Sequence, residues 1–376
     1  MKKKEKVETV SQFIPELGLS LAKYSGEQLI DKVGQNIIKD VVSSILCGGN
    51  FRSLTEGLTT RRISLSNAAM LVTYLDASKN IKNFQQRIPE LVRNELQYSR
   101  LSQEQKVFLQ WLVGLTGKSI QNVLRSDNEQ LKDYLTELES SLNNSIKQSE
   151  KEFGKLTGSI NIDKENYLIN WPSVLQLFTA IGAQTLAIRG SEKSMYGKLF
   201  EKLILGCLLT ILGFELIDPK KSTQSNKVFW LSQRENKRES DATLLLKAGT
   251  GVRFDIGFIG PGNTEISLDK VSRFEREYEF GRQLHYMSTI VIVDRIGGKS
   301  RISELAKRIN GTIIQMSMNY WVKEVCMILK ETIGFKHKIM KLSDAESIEY
   351  IKDEMKNIDL KLFISNFKEG KSQKEI

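Results

Sequence analysis

Apolar residues recur at helical spacing through the first part of the chain. Leu29, Val33, Ile37, Val41 and Ile45 stand four apart and predict one stripe on a helix. Phe108, Leu109, Leu112, Val113 and Leu115 predict a second helix, and Leu131, Leu135, Leu138 and Leu142 a third. Residues 143–164 are polar, with several Gly and Ser, and read as a linker. The expectation is an all-α N-terminal domain over 1–165, for DNA contact or assembly, followed by a second domain over 166–376.

The rhythm changes after Trp171. One helix is expected over 172–188, with Pro172 in its first turn. A second is expected over 195–212, introduced by Ser191 and Ser194 and stopped by Gly213. Strand-like runs follow at 214–217, 228–231, 243–246 and 252–259, and the AGTG at 248–251 is the turn joining the last two. A polar helix at 265–280, a strand at 289–293, a short helix at 302–309 and a strand at 312–316 complete the pattern. Helix, strands, helix and strand in that order predict an α/β domain of the α+β kind, a mixed sheet with a crossover helix.

Charge adds a partner to this picture. The 376 residues carry a formal net charge of +10, which suits a polyanion, either nucleic acid or an acidic membrane surface. The excess is uneven: 23 Lys and Arg against 20 Asp and Glu up to residue 165, and 32 against 25 beyond it. The longest apolar stretch, Leu203 to Ile217, is too short to span a bilayer. MKKKEKVETV at the N-terminus is not followed by the apolar segment of a secretion signal, so a cytoplasmic protein without a membrane partner is expected. Cys47, Cys207 and Cys326 are far apart and form no CxxC, and His285 and His337 are the only histidines, which argues against a zinc site.

The sharpest chemical signal lies on the hairpin. Asp241 sits at the mouth of one strand, and Asp255 stands between Phe254 and Ile256 in an otherwise apolar strand, a place that disfavours Asp. A buried carboxylate is costly unless it is paired or bound to metal. Across one short turn the two carboxylates can share a cation, and oxygen-only ligation fits Mg²⁺. The alternative is a salt bridge from Asp255 to Arg253 or Arg273, with Asp241 capping a turn. Glu201, on the helix before the strands, is a third candidate metal ligand; alternatively it pairs with Lys198 three residues away.

Basic residues offer contacts to DNA. Phe51 to Leu75 could form a helix–turn–helix with Arg52, Arg61 and Arg62 on phosphates or base edges, or an ordinary helical hairpin. Lys227, Arg234 and Arg238 lie in a basic segment beside the hairpin, interleaved with Phe229 and Trp230. Lys198 completes the set of candidate DNA-binding residues.

The order of parts over residues 193–294 resembles the PD-(D/E)xK nuclease superfamily and, within it, type II restriction endonucleases. Ser240-Asp241-Ala242 stands where the family has its PD, and Asp255-Ile256-Gly257 where it has (D/E)xK. The whole chain is also similar to CfrBI-type restriction enzymes in GSEKSMYGKLFEKL, FDIGFIGPGNTEISLDK and FRSLTEGLTTRRIS. These resemblances imply a restriction-endonuclease-like fold and Mg²⁺-dependent, sequence-specific cleavage of double-stranded DNA. They also imply a homodimer, a cognate DNA methyltransferase as functional partner and a CCWWGG-like target. Gly257 departs from the pattern, standing where the family has lysine, so Lys270 is the candidate amine and Glu265 a candidate to complete the metal shell or orient water. Two rival readings remain: a structure-selective repair or mobile-element nuclease, and a non-catalytic DNA-binding protein on a degenerate nuclease fold.

Overall fold

The computed structural model describes residues 8–97, 100–116, 128–232, 240–258, 287–294 and 311–364. Glu265, Lys270, Arg234, Arg238 and the helices expected over 265–280 and 302–309 lie outside them. The chain divides into two compact units, each discontinuous in sequence: residues 1–24 with 58–193, and residues 25–57 with 194–376. The internal borders at 57/58 and 193/194 fall inside helices.

The first unit holds α1 (Glu16–Ala22) and the larger part of α4, together with α5 (Phe84–Leu96), α6 (Gln103–Leu112) and α7 (Asn128–Phe153). Its apolar core includes Tyr74, Phe84, Phe108, Leu109, Trp111, Leu131 and Leu135; the second predicted stripe buries, though its helix ends at Leu112, and the third buries Leu131 and Leu135, with Leu138 packed beside them. An all-α reading of this region is not confirmed. Inside the segment read as a linker, Asn128–Phe153 continues as helix, and β1 (Gly158–Ile162) and β2 (Glu165–Ile169) form an antiparallel hairpin. Its two-residue turn places Asp163 at φ 54°, a left-handed position that Asp tolerates better than most residues. Only Tyr167 of this hairpin is fully buried, which is why its apolar signal is faint.

Two further elements differ from expectation. The stripe from Leu29 to Ile45 belongs to two helices, α2 (Gly26–Val33) and α3 (Gln35–Leu46), broken at Gly34, whose φ of 103° no L side chain adopts easily. Phe51–Asn80 is one unbroken helix of 30 residues, α4, so the helix–turn–helix expected there does not form. Likewise the two helices expected after Trp171 are one, α8 (Trp171–Ile211), 41 residues long. Ser191, expected to open a new helix, instead donates its hydroxyl back to the Ile188 carbonyl at 3.0 Å, a bond compatible with an uninterrupted helix.

The second unit carries a six-stranded sheet in the order β3 (Glu215–Leu216), β4 (Val228–Leu231), β5 (Ala242–Lys247), β6 (Thr250–Gly257), β7 (Met287–Val293) and β8 (Gly311–Gln315). β4, β5 and β6 are antiparallel neighbours, whereas β6, β7 and β8 run parallel, as does β3 to β4. Every strand expected from the sequence is present, and the mixed order is consistent with a restriction-endonuclease-like fold. One face of the sheet is a dry core, with Phe229, Leu244, Val252, Phe254, Ile256, Ile290, Ile292 and Ile314 at or below 1% exposure. Helix α9 (Trp321–Ile333) packs against β6 and β8, and its first residue anchors α3 by an indole N–H bond to the Ile45 carbonyl at 2.9 Å. Helix α10 (Asp344–Lys356) packs on α3. Among the described residues no helix is long and apolar enough to cross a membrane.

Candidate active site

The β5–β6 hairpin closes on Ala248-Gly249, and Gly249 takes the left-handed conformation such a turn demands, at φ 75°. Lys247 pairs with Thr250, but Leu245 pairs with Gly251, so Leu246 is an extra residue in the ladder. Beyond this bulge the pairing is regular down to Ala242 opposite Phe254. Asp241 immediately precedes Ala242, and Asp255 immediately follows Phe254. Asp255 alternates along β6 with the core residues Phe254 and Ile256 and so belongs to the other face of the sheet.

Hydrogen bonds fix the first aspartate. Asp241 Oδ2 accepts the Ile256 amide at 2.9 Å, and its carbonyl accepts the Ser232 amide at 3.0 Å, so both neighbouring strands hold it. Ser240 and Thr243 place their hydroxyls 3.2 Å apart beside it. Asp255 is 7% exposed and therefore a buried acid, flanked in the register by Val291 of β7. The structure thus juxtaposes the two aspartates that the sequence singles out.

Glu201 is half-buried on α8 and Lys198 is exposed one turn before it. Among the described residues no three His, Cys, Asp or Glu side chains gather closely enough to hold a metal ion, so Glu201 is not drawn into the aspartate pair. Magnesium nevertheless suits the two carboxylates alone, because it keeps several waters and commonly takes one or two protein carboxylates plus substrate phosphate. Gly257, where the family motif has lysine, is buried, and its carbonyl accepts the Asp294 amide at 3.3 Å.

Asp294 was not singled out from the sequence. It is 3% exposed just after β7, and its signal is an acid closing an apolar strand, where Asp255 stands inside one. Next to Gly257, Phe258 stacks on Phe51 at 3.8 Å between ring centroids, and Phe51 meets Phe200 of α8 edge-on at 5.5 Å. These rings tie the start of α4 and the middle of α8 to the end of β6.

The basic candidates separate clearly. Arg52, Arg61 and Lys227 are exposed. Arg62 is not available to DNA in this structure, being 5% exposed inside the first unit. Its Nη1 lies 3.4 Å from Glu192 Oε1, and its Nε and Nη2 donate to the Leu21 carbonyl at 3.0 and 2.7 Å. Tyr24 completes this enclosure, its hydroxyl bonding to Glu192 at 3.2 Å and its ring lying 4.0 Å from the guanidinium carbon.

Comparison with known proteins places the whole chain. The family model described as CfrBI restriction endonuclease matches residues 35–301. The type II restriction enzyme CfrBI of Citrobacter freundii is 38% identical over 347 residues, covering 92% of this chain and 96% of the relative. No solved structure matches. A family match over residues 35–301 and identity of this extent over 92% of the chain show that it belongs to the CfrBI restriction endonuclease family.

Proposed function

We propose that this type II restriction enzyme cuts both strands of duplex DNA at a defined sequence by magnesium-assisted hydrolysis centred on Asp241 and Asp255. The observation that carries the reading is a buried acid inside β6, Asp255, with the carboxylate of Asp241 bonded to the amide of the very next residue, Ile256, at 2.9 Å. Asp241 is held in place by the Ile256 amide. Asp255 is held by the strand itself, with neighbours on both sides. Together they would hold the cation, and their charge without it would repel a phosphodiester. Bound magnesium supplies a Lewis acid for the scissile phosphate and a more acidic water.

Lys270 is the proposed amine facing the developing charge in place of Gly257, with Glu265 orienting the attacking water. Glu201 would border the site rather than complete the ligand pair. Exposed Lys198, Arg52, Arg61 and Lys227 are proposed to meet phosphates. Cleavage of both strands of a palindromic site calls for two copies of the chain, and the CCWWGG-like target follows from the family resemblance. A cognate methyltransferase would protect the host's own sites.

Incubating purified protein with phage DNA and Mg²⁺ tests the reading. Discrete fragments with wild type, none without metal and none with Asp255→Ala are expected. Cutting confined to nicks or branches would select the repair nuclease instead, and binding without any cutting would select the degenerate fold.

A further inference from the structure

The turn that follows β8 breaks a local rule. Helix α9 begins at Trp321, and its N-cap position is held by Tyr320, whose side chain makes no capping bond. Ser, Thr, Asp and Asn are the residues that satisfy the first amides of a helix, so tyrosine here does not serve α9. Met318, Asn319 and Tyr320 are all exposed, the first and last at 39% and 40%. Asn50 and Asn170 show what an asparagine ordinarily does before a helix: each accepts the amide three residues on, from Ser53 and Ser173, at 3.0 Å. Among the described residues the Asn319 carboxamide makes no such bond.

These exposed side chains stand on a rigid seat. The Met316 amide bonds to the Val293 carbonyl at 2.8 Å and the Ser317 amide to the Asp294 carbonyl at 3.2 Å, and the Trp321 amide closes the turn on the Met318 carbonyl at 3.2 Å. The turn also meets Gly48, at φ 89°, where a Cβ would lie 2.7 Å from the Asn319 nitrogen. Backbone touches backbone there, so the turn is held without the help of its side chains. The same α3–α4 connection leads into Phe51, which stacks on Phe258 just past β6.

Position gives the turn its partner. Gly257, Val293 and Gln315 are level across β6, β7 and β8. Two strand spacings separate β8 from β6, roughly 10 Å, or about three base-pair steps. A phosphodiester held at Asp255, two residues before Gly257, places base pairs of the same duplex within reach of the turn. We infer that Asn319 reads an adenine close to the scissile phosphate through its carboxamide, with Met318 against a neighbouring thymine methyl and Tyr320 on the backbone. Asparagine matches the adjacent acceptor and donor of adenine in the major groove, apolar side chains match the thymine methyl, and a tyrosine hydroxyl meets phosphate. The inference rests on the two aspartates being the cleavage site and deepens that reading by naming a residue that selects the sequence.

Retention of a random-sequence duplex library by the full chain, with Ca²⁺ replacing Mg²⁺ so that the DNA stays whole, reads base preference without cleavage once the retained pool is sequenced. Wild type should enrich one motif that contains an A·T pair. Asn319→Ala should lose preference at that pair by about ten- to hundredfold, while keeping the rest of the motif and the wild-type circular dichroism and melting temperature. Asn319→Asp, the same size but with acceptors only, should turn the preference there toward cytosine, a change that a purely structural role would not produce. Unaltered preference in both variants overturns the inference, as does an equal loss of affinity for all sequences or a wild type that enriches no motif. If the Asn319 variants shift as stated but wild type cuts no DNA with Mg²⁺, the readout stands and the catalytic reading falls. Cleavage that needs Asp255 but selects the same bases without Asn319 keeps the nuclease and removes the inference.

Discussion

Among the described residues, two clusters of charge are built on opposite plans. In the first unit Arg62 and Glu192, with side chains 6% and 1% exposed, neutralise each other at 3.4 Å. Leu21, Ala22 and Tyr24 take up the remaining hydrogen-bonding capacity of the guanidinium and one carboxylate oxygen. On the sheet of the second unit, the buried Asp255 and the Asp241 carboxylate bonded to the next amide along β6 bring two acids to one end of the hairpin. Opposite charges enclosed together offset much of each other's burial cost and act as a brace. Like charges brought close together would instead be eased by a cation, which is the role proposed for the hairpin.

The largest effects should come from breaking the aspartate side of this contrast. Asp255→Asn and Asp241→Asn should each lower cleavage by about a thousandfold or more, roughly 4 kcal/mol of barrier, while the variants stay folded. Calorimetric melting separates this from a loss of structure. Magnesium in about hundredfold excess over its dissociation constant should stabilise wild type by about 2.7 kcal/mol, and the variants little. Equal stabilisation of wild type and both variants would remove the pair from the metal site.

A second way to sharpen the contrast uses the bulge. Because Leu246 is the surplus residue, deleting it leaves Leu245 across from Gly251 and Ala242, next to Asp241, across from Phe254. Deleting Leu244 instead slips Asp241 by one position, opposite Phe254 and onto the core face. The Leu246 deletion should keep cleavage within about tenfold of wild type, and the Leu244 deletion should abolish it. A folded Leu246 deletion without activity would show that the nearness of the two acids does not govern the chemistry.

Much of this was legible in the sequence, for reasons that differ by element. The strands from β4 to β8 announce themselves because each is a short β-branched or aromatic run bounded by turn residues. Asp241 and Asp255 stand out because an acid in such a run is costly. The fusion of two expected helices into α8 was not legible, since Gly190 and Ser191 are local stop signals, while the Glu192–Arg62 contact beside them is 130 residues apart in sequence. Arg62 itself looks like Arg61 in the string TTRRIS; a helix turns them about 100° apart, and only tertiary packing decides which is enclosed. The hairpin at β1 and β2 was missed because Asp163-Lys164 is a weak turn signal between polar, mostly exposed strands.

Breaking the ion-pair side should damage stability rather than chemistry. Glu192→Ala leaves a guanidinium buried without its acid, and Arg62→Ala leaves the acid without its cation; each should cost about 3–5 kcal/mol in denaturant unfolding. Arg62→Met with Glu192→Leu, which removes both charges and keeps the volume, should recover much of that loss. Cleavage per folded molecule should stay near wild type in the double variant. A selective loss of cleavage there would mean that the brace also serves the reaction.

The smallest effect compares neighbours. Arg61 is exposed beside the enclosed Arg62, so Arg61→Gln should change stability by less than about 0.5 kcal/mol. If Arg61 meets a phosphate, its loss releases one counterion fewer, and the slope of log affinity against log salt should fall by about 0.9. Discrimination between the cognate site and other sequences should be unchanged, because a phosphate carries no base information. Fluorescence anisotropy of labelled duplex across a salt series reads both quantities. An unchanged slope would place Arg61 off the DNA and leave α4 as scaffold alone, whereas a loss of sequence discrimination would move Arg61 from the backbone to a base edge.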